Sequence, residues 1–472
     1  MNAVRSAELA TRGTKTGPDS TFAPSTFDAG PLSPAPCPLL YSSPRILFLN
    51  RSYWPDAEAT GQLLTELCED LAAASGGPGA EVVGQGSEPR GPALEHSNPH
   101  LSITVLCGQP NANPLGVTYR RWGREVRNGV TVHRVWHTRF PKWCLAGRAV
   151  NYASFLLAVL WAACWTRRPD VIVVETDPPL LSLIGGLLQR WRGAKLIVYL
   201  QDIHPDIAVA LGTLRDSWLT RLLRRRLFAA YRRADRVVVL SRDMRRHVIA
   251  GGVPAERVVI VPNWVDTAVV YPVKQANAFR QRHGIDSRFL VMYSGNLGLC
   301  QRLEDVIAAA EVLRTRTDIL FLLVGSGVLQ RRLEAQVAEL SLANVWFLPC
   351  EPKDRLAESL SAADVHLVPL DPRVAAYLMP SKLYGVLASG SPLIAVAPEA
   401  CELAQLAREH GLGLVVPPGD PAALAAALER LADQPAELPE IGRRARQLAE
   451  RQYDRRTVVP KFAKVLNSVL SS

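Results

Sequence analysis

The chain has 472 residues, with 54 basic and 44 acidic side chains for a formal net charge of +10, 48% hydrophobic residues and 21% charged ones. At ~100 to 200 residues per domain this length suggests two or three domains, and the composition excludes a wholly disordered, collagen-like or polytopic membrane chain. The basic excess is local: residues 101–250 hold 24 basic against 9 acidic side chains, a field that attracts nucleic acid, a membrane surface or a phosphorylated substrate.

Residues 1–43 are rich in Pro, Ser, Thr, Gly and Ala without apolar periodicity, which predicts a disordered leader that lacks the apolar stretch of a secretory signal. RILFLN (45–50), a polar loop and the helix-like GQLLTELCEDLAAA then form a strand, loop and helix unit. Residues 75–100 return to the leader's texture and are expected to be a flexible insertion. SITVLC (102–107), VTVHRVW (130–136), DVIVVE (170–175), KLIVYL (195–200), RVVVLS (235–240) and RVVIV (257–261) follow, separated by helical stretches. Strands apolar on both faces and alternating with helices predict a parallel sheet covered on both sides. After PNWVDTAVVYPV (262–273) a second series begins: FLVMYSG, DILFLLVGSG, NVWFLP, ADVHLVPL, PLIAVA and GLVV. The expected fold is α/β, with two Rossmann-like, doubly wound parallel-sheet domains facing a central cleft where ligands bind at the carboxyl ends of the strands. The boundaries fall at 44–262 and 263–452.

The eight cysteines are scattered without zinc or thioredoxin spacing and are expected to be reduced core thiols. No HExxH and no Asp-x-Asp occurs, so metal-independent chemistry is expected, with Glu175-Thr176-Asp177 the one weak carboxylate pair.

Two segments bear on membranes. Residues 150–166 are almost wholly apolar and precede Arg167 and Arg168; at 1.5 Å per residue they reach roughly 25 Å, short of the ~30 Å hydrocarbon core. They suit a buried core helix or one dipping into a single leaflet with Trp161 and Trp165 near its interfacial end, better than a full span. Trp218–Arg236 is a basic amphipathic helix: at 100° per residue Arg221, Arg225, Arg232 and Arg236 fall within about 60° of each other, with Leu219, Leu223, Leu227 and Ala230 opposite. It is either a solvated face packed on the sheet or a docking surface for an anionic leaflet or lipid diphosphate. No nucleic-acid motif accompanies the arginines, so no nucleic-acid partner is expected.

Candidate site residues lie at strand ends. Gly295-Asn296-Leu297-Gly298 and Gly325-Ser326-Gly327 each follow a strand of the second series, where small residues let backbone N–H groups approach a phosphate or simply form a turn. In Pro380-Ser381-Lys382-Leu383-Tyr384 the proline marks a helix start. Lys382 then stands where the helix dipole disfavours a cation by ~0.3 to 1 kcal/mol, unless a bound anion reverses the sign. A solvent-exposed or carboxylate-paired lysine is the alternative. In the first series KLIVYL ends in Gln201-Asp202-Ile203-His204, which places a carboxylate and an imidazole at the cleft edge as candidates for acid/base or hydroxyl-binding work, His204 serving equally well to satisfy a loop carbonyl.

ILFLNRSYWPDAEATGQLLTELCEDLA, TDPPLLSLIGGLL, YLQDIHPDIAVALG, VPNWVD, YSGNLGLCQRLEDVIAAAEVL, SLSAADVHLVPL and PSKLYGVLASGSPLIAV together resemble glycosyltransferase family 4 of GT-B architecture, and its bacterial exopolysaccharide (colanic-acid-type) branch in particular. The resemblance covers residues ~45 to 470. It implies transfer of a sugar from a nucleotide-diphosphate donor, with retention of anomeric configuration and no obligatory metal or other cofactor. The donor would sit in the C-terminal domain and a saccharide acceptor, expected to be lipid-linked, in the N-terminal one. Residues 453–472 would form a helix returning to the N-terminal domain. By position, Gly61 falls in a glycine-containing loop near the donor diphosphate and Gln201-Asp202 at the edge where the family places a catalytic-site polar residue. Gly295, Asn296, Gly325, Ser326, Gly327, Ser381, Lys382 and Leu383 fall in the donor pocket. A cytoplasmic enzyme peripherally attached to the inner face of the plasma membrane is expected, with Arg221, Arg225, Arg232, Trp161 and Trp165 meeting the membrane or lipid acceptor. The sequence departs from the family in two places. Its two glutamates, separated by seven intervening residues, correspond to Tyr377 and Gly385, and the Arg and Lys of the first C-domain loop to Asn296 and Gln301. Lys382, helix termini and Arg302 remain to meet the diphosphate charge. A nucleotide-sugar epimerase of the same architecture, or a degenerate GT-B subunit serving a partner transferase, are the competing readings.

Overall fold

In a computed structural model the described residues are 43–56, 58–75, 100–110, 122–140, 145–285 and 287–472. The expected leader and nearly all of the 75–100 insertion lie outside them. Among the described residues the thirteen apolar runs become strands and Gly123–Arg127 adds a fourteenth, in two sheets. The first sheet has the order β3-β4-β2-β1-β5-β6-β7-β8. Its strands are β1 (Arg45–Leu49), β2 (Ser102–Cys107), β3 (Gly123–Arg127), β4 (Val130–Arg134), β5 (Val171–Val174), β6 (Lys195–Leu200), β7 (Arg236–Val239) and β8 (Val258–Ile260). Every pairing is parallel except the β3–β4 hairpin at one edge, turned at Asn128-Gly129 with positive φ at both residues. Gly123–Arg127 was not visible as a strand because its residues alternate without an apolar face.

The second sheet is parallel throughout, in the order β11-β10-β9-β12-β13-β14. It comprises β9 (Phe289–Ser294), β10 (Ile319–Val324), β11 (Val345–Leu348), β12 (Val365–Pro369), β13 (Leu393–Val396) and β14 (Gly413–Val416). Both orders reverse at an internal strand pair, β1/β5 and β9/β12, and ligands of open α/β sheets settle outside the carboxyl ends at such reversals.

Helices cover both sheets. With the first run α1 (Ala59–Ala74), α2 (Leu145–Trp165), α3 (Leu181–Arg192), α4 (Asp206–Ala210), α5 (Trp218–Arg233) and α6 (Arg242–Ala250). With the second run α7 (Ala278–Arg282), α8 (Leu303–Val312), α9 (Gln330–Glu339), α10 (Leu356–Ser361), α11 (Lys382–Ala388), α12 (Glu402–Glu409), α13 (Pro421–Asp433), α14 (Leu438–Leu448) and α15 (Arg455–Leu470). Helix α15 packs on the first sheet through Phe462, whose ring lies 5.3 Å from Tyr199 and 6.4 Å from Phe48. One apolar core runs from the first sheet through Trp264 and Val270 into one face of the second, taking in Leu383 and Leu387 of α11.

The 150–166 segment is part of the longer α2. Phe155, Ala158, Val159 and Ala163 are buried against the first sheet, while Val150, Leu157, Trp161 and Trp165 are exposed. By length and composition the helix is long and apolar enough for a span, with mean hydropathy 1.3 over Ala146–Trp165, and only 33% of it is buried, so it is not the buried core helix that was one expectation. Packing along a sheet fits a surface helix with one uncovered apolar stripe. In α5 the arginines do face outward, but Leu219 is exposed beside them, as are Trp218 and Leu222. The inner face carries the expected Leu227 and Ala230 together with Phe228 and Tyr231, Leu223 packs partly buried against the core, and Arg236 already belongs to β7. The cysteines are likewise not all core residues, since Cys164 and Cys350 are exposed.

Candidate functional site

Between the carboxyl ends of the two sheets lies a cleft of about 610 Å³. Ala59, Gln62, Leu63 and Glu66 of α1 and Asp202 after β6 form its first wall, Asn263–Asp266 its back, and Ser294, Gly295, Asn296, Gln301, Lys353, Pro380, Ser381 and Lys382 its second wall. At one point the walls are stitched together. The Ile203 N–H donates to the Tyr377 carbonyl at 3.0 Å, and Asp202 forms an antiparallel bridge with Leu378.

Lys382 opens α11, and its side chain passes over Gly295, where a Cβ would stand 3.3 Å from Lys382 Cε. Gly295 also has a φ of 144°, a region that favours glycine. The ammonium donates to the Tyr293 hydroxyl at 2.6 Å and lies 4.1 Å from the centre of that ring. Lys382 is half-buried, with its residual surface on the cleft. Desolvation by the surrounding protein pushes the ammonium down from 10.5 to about 7, opposed only slightly by the Cys300 thiol. The other cations of the lining are engaged: Lys353 with Glu66 at 2.9 Å and Arg455 with Asp70 at 2.6 Å. Among the described residues Lys382 is thus the one lysine or arginine lining the cleft that has no carboxylate within ion-pair distance.

On the first wall, burial pushes the Asp202 carboxyl up and Asp177 adds to this, while His204 opposes it. Burial pushes the His204 imidazole down, against the pull of Asp202. Both groups are thereby driven toward their neutral forms. Asp202 lines the cleft and His204 does not. Behind them Asp177 pairs with Arg51 at 3.1 Å across the first sheet's reversal point. Glu175 lies deeper still, beside Gln201 at 3.5 Å, and burial raises it to about 8. Gln201 accepts from Asn263 at 2.9 Å, so a buried polar chain runs from Glu175 to the back of the cleft.

Several expected residues sit elsewhere than sequence position suggested. Gly61 lies inside helix α1, not in a loop, and does not line the cleft. A Cβ there would stand 3.1 to 3.2 Å from Ser52 and Tyr53, so its absence lets the helix lie close to that loop. Gly325, Ser326 and Gly327 also stand outside the lining. They brace the neighbouring loop instead: Leu297 N–H donates to the Ser326 carbonyl at 2.9 Å, and a Cβ on Gly325 would stand 1.9 Å from the Gly295 carbonyl oxygen. Arg302 turns away to Asp305 at 2.9 Å and borders a separate cavity of about 290 Å³ with Asp371 and Arg373. Leu383 is a core residue, whereas Ser381 and Asn296 are exposed at the cleft. Of the family's two acidic positions, Tyr377 packs edge-on against His247 at 4.8 Å, and Gly385 lines the cleft where a Cβ would press on Leu360 at 3.1 Å. Sequence reasoning missed Tyr293, although a tyrosine ending an aliphatic strand carries a hydroxyl that must find a partner. It also missed the Glu66–Lys353 pair, whose members stand 287 residues apart. The described residues contain no group of three His, Cys, Asp or Glu able to hold a metal ion.

Two parallel sheets presenting their reversal points across one cleft define a GT-B architecture. Residues 95–264 match the model of the glycosyl transferase 4-like domain and 275–448 that of glycosyl transferases group 1. The chain is 30% identical over 433 residues to the putative colanic acid biosynthesis glycosyl transferase WcaI of Escherichia coli K12, covering 89% of this chain and 98% of that one. It is 29% identical over 327 residues to the probable glycosyltransferase WbjE of Pseudomonas aeruginosa, covering 69% and 81%. Among solved structures, sucrose-phosphate synthase of Thermosynechococcus elongatus superposes with a TM-score of 0.67 at 19% identity, covering 91% of this chain and 99% of that one. Anabaena HepE in complex with UDP and glucose gives 0.64 at 18%, covering 90% and 99%. The chain belongs to the family 4 glycosyltransferases of GT-B fold, and it is a glycosyltransferase of glycan biosynthesis.

Proposed function

We propose that this enzyme moves a sugar from a nucleotide-diphosphate donor, held by the second sheet, to a lipid-linked saccharide at an anionic membrane surface, with retention of anomeric configuration, in exopolysaccharide or cell-surface glycan assembly. The observation that carries the reading is the uncompensated Lys382 ammonium, set beside the loop that ends β9 at the second sheet's reversal point. A buried cation without a carboxylate is costly until an anion arrives, and a leaving diphosphate is such an anion.

In the transfer the bond between the anomeric carbon and the β-phosphate oxygen breaks, and the electron pair stays on the phosphate. The acceptor hydroxyl oxygen bonds to the same carbon. Its proton passes to the leaving phosphate oxygen, so the products are a nucleoside diphosphate and a glycoside. Lys382 neutralises the charge that grows on the phosphate, the kind of preorganised contact that dominates such catalysis. Asp202, held toward its neutral form, is a poor nucleophile and a poor base. This supports a one-face displacement, in which the leaving group itself takes the proton, over a double displacement through a carboxylate. Asp202 then orients a hydroxyl of acceptor or donor.

Support for the membrane half comes from the helix layer on the first sheet, where α3 packs between α2 and α5. Its outer surface carries Leu157, Trp161, Trp165, Trp191, Trp218 and Leu222. Among them Arg221, Arg225 and Arg232 are exposed; Arg221 pairs with Asp216 at 3.1 Å and Arg232 donates to the Gly251 carbonyl at 3.1 Å. Interfacial tryptophans with flanking arginines suit a peripheral enzyme on the cytoplasmic leaflet.

Purified protein given a panel of nucleotide-diphosphate sugars with a lipid-linked saccharide in mixed micelles tests the whole reading. Formation of a glycoside with the donor's anomeric configuration, read by NMR, is expected. Inversion would refute retention, and a changed sugar without any acceptor would reveal an epimerase. No turnover and no thermal stabilisation by any donor would leave the degenerate-subunit reading standing.

A further inference from the structure

We infer that Tyr293 is a positioning residue that holds the Lys382 ammonium against the loop ending β9, doing with one phenol what a basic side chain in that loop would do. The inference rests on the donor reading above.

The loop itself offers no cation, since Asn296 and Gln301 face the cleft there. Tyr293, inside β9 and almost wholly buried, uses its hydroxyl twice. The oxygen accepts from Lys382 Nζ at 2.6 Å, and the O–H donates to the Asn296 carbonyl at 2.6 Å. A phenol has one proton to give, and spending it on a carbonyl leaves lone pairs for a donor, so this geometry takes the lysine as donor and favours its ammonium form, the stronger donor. The carbonyl oxygen of Asn296, which would repel a phosphate, is engaged by the same group. The bonds differ in kind: the one to the ammonium is charge-assisted and the stronger.

Few other titratable groups face the ammonium. Burial pushes the Tyr293 phenol well up, and it pushes the Cys300 thiol up to about 11. Asp202 lies across the cleft, and Asp371 is paired with Arg373 at 2.6 Å. Removing the phenol oxygen therefore leaves desolvation of the ammonium opposed by almost nothing, and the lysine loses its proton at lower pH.

Tyr293→Phe keeps the ring, including its face toward Lys382, and changes one atom. The probes are uridine diphosphate and guanosine diphosphate, titrated from pH 6 to 9 against wild type, Tyr293→Phe, Lys382→Met and the double variant. For whichever nucleotide binds wild type, Tyr293→Phe is expected to weaken binding about 10- to 100-fold. It should also move the alkaline loss of affinity to lower pH, a change a purely structural defect would not produce. In the double variant the tyrosine change adds nothing to the loss from Lys382→Met. Wild-type affinity and pH profile in Tyr293→Phe, or losses that multiply in the double variant, would overturn the inference. If Lys382→Met itself binds like wild type, the donor reading has failed instead, and the two failures are told apart by that arm.

Discussion

Replacing Lys382 by methionine should separate stability from activity. In the ligand-free enzyme the ammonium falls from 10.5 to about 7 through burial. At about 1.4 kcal/mol per tenfold change, that is about 5 kcal/mol spent on keeping the charge in place at neutral pH and below. Water in the open cleft screens part of this, so a gain of a few kcal/mol is expected from Lys382→Met, which keeps the apolar stem and removes the charge. The sign follows from linkage. The folded lysine gives up its proton more easily than the unfolded one, so wild-type stability rises as pH rises from about 7 toward 10.5, and the variant lacks that rise. Glycosyl transfer should fall ~10²- to 10³-fold. Urea unfolding at pH 6.5 and 9.5, beside an initial-rate assay with saturating acceptor, reads both quantities. A variant that is less stable at pH 6.5, or that transfers within about threefold of wild type, would refute the reasoning.

Three further outcomes follow from the geometry. Asp202→Asn preserves the neutral shape of a group already held toward protonation, so kcat should fall about tenfold or less while Asp202→Ala costs ~10²-fold; equal kinetics for wild type and Asp202→Ala would remove the residue from the site. Glu175 is raised to about 8, so its folded form keeps a proton that the unfolded chain has lost, and wild-type stability declines as pH rises from about 4.5 to 8. Glu175→Gln should erase that decline and be more stable than wild type at pH 8 by up to about 5 kcal/mol, which denaturant melts at pH 4.5 and 8 would reveal; parallel curves contradict it. Trp161→Ala with Trp165→Ala should reduce sedimentation with vesicles containing phosphatidylglycerol without altering the thermal melt, and unchanged sedimentation would move the membrane contact away from α2.

Much of the fold is legible because buried parallel strands are written as β-branched runs. ILFLLV and VIVV could hardly be anything else once helices separate them. The β3–β4 hairpin is not so written, because the edge strand Gly123–Arg127 gains its stability from pairing, not burial. In α5 a 100° projection found the arginine face but not that Leu219 shares it, since which stripe packs inward depends on α3, which no projection of α5 contains. The site divides in the same way. Lys382 announced itself by local chemistry, a cation placed at a helix start after a proline. The Gly325–Gly327 loop reads two ways in the sequence because close backbone approach to another loop and close approach to a phosphate demand the same residues; the structure shows the first, where a Cβ on Gly325 would stand 1.9 Å from the Gly295 carbonyl oxygen. Arg302 looked available until Asp305, three residues on, claimed it. Tyr293 stands 89 residues before Lys382, and only packing β9 beneath α11 brings them together.

The central claim is best tested by a crystal structure of the enzyme soaked with the nucleoside diphosphate that stabilises it most. The account predicts the β-phosphate in the cleft between the sheets, with an oxygen roughly 3 Å from Lys382 Nζ and Tyr293 still bonded to that nitrogen. A diphosphate seated instead in the neighbouring cavity of Arg302, Arg332 and Arg373, with Lys382 untouched, would contradict it.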